Sequence, residues 1–98
     1  MTLRITDAAE ADIRETFRWY REQGQGLEHA FRRSLDACLS RVRRSPVAYA
    51  RVHNEIRRAL LKRFPYAVFF VVDESEIAVI GVIHGRRDPT VWQRRTEA

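Results

Sequence analysis

The sequence predicts an α+β domain: an N-terminal strand, then an α-helical hairpin packed on an antiparallel sheet, in the order β-α-α-β-β-β. Three observations carry this expectation. Leu27 to Val42 places apolar residues at helical spacing without a break. Ala67 to Val72 (AVFFVV) and Ile77 to Ile83 (IAVIGVI) are dense in β-branched and aromatic residues, and the acidic Asp73-Glu74-Ser75-Glu76 parts them as a hairpin turn does. Gly24 and Gly26 lie before the second helix, where a helix end and a tight reversal need backbone freedom.

In chain order, Leu3 to Thr6 is a short strand, and Asp7 with Glu10 has the spacing of a capping box that opens a helix. Ala9, Ile13, Thr16, Phe17 and Tyr20 then form one apolar stripe, with Trp19 off it and Glu10 and Arg14 paired on another face. In the second helix Leu27, Ala30, Phe31, Ser34, Leu35, Cys38, Leu39 and Val42 keep the helical period until Ser45-Pro46 stops it. Arg41, Arg43 and Arg44 in its last turns complement the helix dipole, which accounts for them structurally. Val47 to Glu55 has no period and reads as a loop. Ile56 to Phe64 is a strand ended by Pro65, which lacks a ladder donor and restrains the residue before it. Tyr66 starts the next strand.

Both parities of the two central strands are apolar. Val68, Phe70 and Val72 alternate with Ala67, Phe69 and Val71, and Ile77, Val79 and Ile83 with Ala78, Ile80 and Val82. Strands of this kind have both sheet faces buried. The helical hairpin covers one. The other needs the tail after His84, a second copy of the chain or a partner protein, with a partner the favoured cover.

A chain of 98 residues suits one domain with one core, spanning 1–98. With 45% apolar and 32% charged residues it is a folded soluble protein rather than a disordered one. The single cysteine, Cys38, forms no internal disulfide and has no neighbours at metal spacing. The amino end lacks a signal-peptide design and no apolar run approaches the roughly 20 residues of a membrane span, so the expected setting is the cytoplasm, with no membrane contact. No phosphate-cradling glycine loop, metal-spaced histidine pair or nucleophile motif is present, and no metal or cofactor is expected.

The net charge of +5 is unevenly spread. Residues 1–40 hold six arginines against seven acids, a net −1, whereas 41–98 hold twelve Lys/Arg against six acids, a net +6. The basic half attracts acidic or phosphate-rich partners. Within it, His84-Gly85-Arg86-Arg87-Asp88-Pro89 follows the last strand, and Arg58, Lys62 and Arg63 belong to the preceding strand, so the sheet can gather these cations at one end. Grouped guanidiniums hold phosphate or carboxylate bidentately. A simpler role for Arg86 or Arg87 is an ion pair that pins the tail.

The chain resembles the RelE/ParE superfamily of toxins from type II toxin–antitoxin systems, over nearly its whole length. The resemblance rests on the element order, on Arg57-Arg58 through Phe64-Pro65-Tyr66 into AVFFVV, and on VIHGRRDPTVW. It implies a small cytoplasmic toxin neutralised by a cognate antitoxin, a small acidic protein whose segment packs along the toxin and covers the sheet. Members of the superfamily either cut messenger RNA on the ribosome or poison DNA gyrase without cutting. For a nuclease, Lys62 and Arg87 fall near the basic positions of those relatives, and His84 is available as acid or base. The tyrosine often found near the carboxyl end of the nucleases is missing, since none follows Tyr66; the late aromatic is Trp92. The favoured expectation is the ParE-type gyrase inhibitor without catalysis, binding its target through Arg58, Lys62, Arg63, Arg86, Arg87 and, if exposed, Trp92. The alternatives are a ribosome-dependent endonuclease and a non-toxic nucleic-acid-binding module.

Overall fold

The computed structural model describes residues 1–96. Strand β1 (Thr2–Ile5), helices α1 (Asp7–Gln23) and α2 (Leu27–Arg44), strands β2 (Arg51–His53), β3 (Ile56–Leu60), β4 (Tyr66–Val72) and β5 (Glu76–His84) and a short helix α3 (Thr90–Gln93) follow in order. The predicted α+β architecture is present, with two differences in the sheet. Its order is β1-β5-β4-β3-β2. Strands β2 to β5 pair antiparallel, but β1 runs parallel to β5, with Leu3 opposite Ile77, so the sheet is mixed rather than antiparallel. A hairpin fixes the direction of consecutive strands only, and β1 meets a partner at the far end of the chain. The segment 47–55, expected as a loop, contains β2, and Arg57 Nη1 donates to Tyr49 O at 2.6 Å to hold it against β3.

Local chemistry explains the boundaries. Helix α1 is capped one residue earlier than the sequence pattern implied: Thr6 Oγ1 accepts from Ala9 N–H at 3.3 Å, and Asp7 becomes the first helical residue, beside the positive end of the dipole. Gly24, Gln25 and Gly26 reverse the chain with φ of 81°, 62° and 72°, a run that two glycines make accessible. Strand β3 stops at Leu60, short of Phe64, because Arg63 turns into the left-handed region at φ 75° ahead of Pro65.

The two-faced sheet is covered on both sides. On one side, Ala9 and Tyr20 of α1 and Phe31, Leu35, Cys38 and Val42 of α2 pack with Val68, Phe70, Ile77, Val79 and Val82, and Ile13 and Leu39 lie partly buried against them. On the other, Ile56, Ala67, Phe69, Ile80 and Ile83 pack with Trp92 of α3. The strict alternation expected along β5 breaks between Val79 and Val82. Phe69 faces Gly81 and Phe70 faces Val79, so Ile80 is a bulge residue, and Val82 rather than Ile83 turns to the helices.

The tail is therefore the cover of the second face, which the sequence left mainly to a partner. Trp92 stacks on Phe69 with ring centroids 4.2 Å apart and 16° between planes. Beyond it, Arg95 Nη1 donates to Asp12 Oδ2 at 2.6 Å and to the Ile80 carbonyl at 2.8 Å, and its Nη2 donates to Asp12 Oδ1 at 3.2 Å. Asp12 also accepts from the Val82 N–H at 3.0 Å. β1 pairs with β5 only as far as Val79, so this pair satisfies backbone groups that no strand reaches. Gly81 leaves room for it: a Cβ there would stand 3.0 Å from Arg95 Nη1 and 2.9 Å from Ile83 Cδ1.

Candidate functional site

At the carboxyl end of β5 the chain turns sharply against the loop before β4. Gly85 N–H donates to Pro65 O at 2.8 Å, and Arg87 N–H to His84 O at 3.0 Å. His84 Nδ1 accepts from Arg86 N–H at 3.0 Å. The neutral ring therefore carries its proton on Nε2, a donor rather than a base. Tyr66 meets the same imidazole edge-on at 5.1 Å between centroids.

These groups border a cleft of about 320 Å³ on the second face of the sheet. Leu60, Leu61, Phe64, Pro65, Phe69 and Trp92 form its apolar walls, and Arg58, Arg86, Arg87 and His84 stand around it. Arg58 reaches this face because it pairs with Phe69 across β3 and β4, whereas its neighbour Arg57 pairs with Phe70 and binds carbonyls. Leu60, 66% exposed, extends the apolar wall into solvent. A second cleft on the α1 side shares Pro65, Tyr66, His84 and Arg87 with the first and is lined by Asp12, Glu15, Trp19 and Tyr20.

The sequence-predicted residues thus divide. Arg58, His84, Arg86 and Arg87 come together, while Lys62 and Arg63 line a separate groove against α2. Trp92, proposed as an anchor if exposed, is 7% exposed and belongs to the core of the second face. The accessible aromatic is Trp19 at 52%, whose position off the apolar stripe of α1 was the signal for it. The alternative of Arg86 or Arg87 pinning the tail is not what holds it: the described ion pair there is Arg95 with Asp12. Asp88 instead accepts from the Thr90 N–H at 3.0 Å, which holds its carboxyl below the usual range. Cys38 is buried and its thiol is pushed up by desolvation, the opposite of an activated nucleophile. Among the described residues no group of three metal-ligating side chains gathers, and no helix is long and apolar enough to cross a membrane.

The family described as "ParE toxin of type II toxin-antitoxin system, parDE" matches residues 3–89. The chain belongs to the ParE toxin family. A solved structure titled "Chromosomal ParDE TA system from P. aeruginosa" superposes with a TM-score of 0.76 at 19% identity, covering 86% of this chain and 95% of that one. At that identity the likeness shows the ParE fold. No curated protein matches the chain. The family match ends at Asp88 and Pro89, so the turn at His84 to Arg87 lies within the ParE-like region and the α3 strap lies beyond it.

Proposed function

We propose that this ParE-family chain is a growth-inhibiting toxin that acts on DNA gyrase by docking rather than by cutting, and that a cognate antitoxin, a small protein with an acidic toxin-binding segment, neutralises it in the cytoplasm. The observation that carries the reading is the cleft at the end of β5: apolar walls from Leu60, Phe64 and Phe69 with Arg58, Arg86 and Arg87 around them, in a chain of this family. Apolar ground with an arginine rim is the make-up of a protein-docking patch.

Nuclease action has less support. It needs several groups converging on one phosphate, and Lys62 lines a different groove from His84 and Arg87. The hydrogen bond from Arg86 also occupies the His84 nitrogen that a base would use. The test is a supercoiling assay with purified gyrase, titrated with the chain alone and then with the chain saturated by its antitoxin. Inhibition that the antitoxin removes supports the reading; full gyrase activity at saturating chain overturns it.

A further inference from the structure

The groove that takes Lys62 and Arg63 away from the cleft has a composition of its own. Arg33, Ser34, Ala37 and Arg41 of α2 face Lys62 and Arg63 across it, with Ala30 at its end. Four cations line about 180 Å³, and no carboxylate is among the lining residues. The nearest acid along that helix, Asp36, is held by Arg32 at 3.3 Å. None of Arg33, Lys62 and Arg63 has an ion-pair partner among the described residues, and Arg41 donates to a backbone carbonyl, Leu60 O at 3.4 Å. Placing four like charges together without counter-ions raises the energy of the free protein, and a bound polyanion relieves it.

The groove is also built rather than accidental. Ser34 Oγ donates to Lys62 O, which fastens the β3–β4 turn to α2, and Arg63 is held at φ 75°, a backbone conformation that a residue with a side chain adopts at a cost. Arg33 and Arg41 lie eight residues apart on one helix face, roughly 12 Å at the α-helical rise. That span corresponds to about three to four steps of a duplex strand at roughly 3.4 Å each.

We infer that this groove binds the phosphate backbone of duplex DNA. A protein partner fits it less well, because alanine and serine floor it and no large apolar or aromatic side chain offers an anchor. A duplex presents the highest density of fixed charge to a fixed row of cations, about one per 1.7 Å of axis. Contacts of this sort position without reading sequence. The site is separate from the arginine-rimmed cleft and does not depend on the gyrase reading. For a toxin that does act on gyrase, it supplies a hold on the DNA beside the enzyme.

The test is fluorescence anisotropy of a labelled mixed-sequence duplex with the purified full chain across a salt series. With three to four phosphates neutralised, log affinity should fall against log salt with a slope of about −2.7 to −3.6. Arg33→Ala and Lys62→Ala should each lower that slope by about 1 and weaken binding several-fold. Arg14→Ala, which removes the same charge from the opposite helix, should leave the slope unchanged. All three side chains are exposed, so circular dichroism should report an intact fold. The inference is overturned if Arg14→Ala lowers the slope as much as the groove variants, if the groove variants leave it unchanged, or if single-stranded RNA or an acidic peptide binds the groove more tightly than the duplex.

Discussion

Replacing Trp92 by alanine tests how the sheet's second face is closed. The indole is 7% exposed and lies flat on Phe69, above Ile56, Ala67, Ile80 and Ile83. Removing a buried tryptophan costs about 3 to 5 kcal/mol. The lower end applies here, because α3 is a short strap at the surface that can settle into the vacated space. About 3 kcal/mol in a chain of this size lowers the thermal midpoint by roughly 12 to 24 °C. Thermal unfolding followed by circular dichroism reads the shift directly. An apolar dye reads the second consequence, since Phe69, Ile80 and Ile83 lose their cover and the variant should bind dye below its melting range. Trp19→Ala is the matched control: at 52% exposure it should change stability by no more than about 0.5 kcal/mol. A midpoint fall under about 4 °C in Trp92→Ala, without dye binding, would refute the view that the tail closes this face and would return that role to a partner.

Other expectations follow from the same structure. Leu35→Ala, at a position 1% exposed beneath α2, should cost about 2 to 5 kcal/mol in chemical denaturation, and a loss below 1 kcal/mol would contradict the packing of α2 on the sheet. Asp73 accepts from the N–H groups of Ser75 and Glu76, so its carboxyl lies below the usual value. Its contribution is full above the unfolded value of about 3.9 and is lost as pH falls through the lower folded value. The thermal midpoint of Asp73→Asn should therefore decline less between about pH 4 and pH 2 than that of the parent; equal declines would count against the turn's role. Single Arg58→Ala, Arg86→Ala and Arg87→Ala changes should weaken toxicity in graded steps when growth is measured after induction, because rim residues of a docking surface each contribute little. Complete loss in one of them alone would favour a catalytic role.

Where the sequence succeeded, one local period spoke for one element. Leu27 to Val42 repeats its apolar residues over a full α2, and the buried side chains Phe31, Leu35, Cys38 and Val42 are among those the repeat names. What it did not convey depends on partners remote in sequence. The direction of β1 follows from its pairing with β5, and the parity change at Ile80 follows from a bulge that Asp12 and Arg95 stabilise from two other elements. An apolar run such as IAVIGVI looks the same with or without a bulge; only Gly81 marks it. The candidate site was half legible. Arg58, His84, Arg86 and Arg87 meet at one end of the sheet, as the pattern implied, with β4 between β3 and β5, but Lys62 and Arg63 occupy the turn after β3, and the left-handed backbone at Arg63 carries them toward α2. Trp92 looked available because a late aromatic in a polar tail has no periodic neighbour to reveal what it packs on.

The central claim is that the chain inhibits by docking on gyrase. The measurement that tests it most directly is to express the chain without its antitoxin and follow DNA topology and transcript integrity in the same cells. The account predicts altered supercoiling of a reporter plasmid while ribosome-bound transcripts stay intact. Site-specific messenger cuts that disappear in Arg87→Ala, with plasmid topology unchanged, would contradict it.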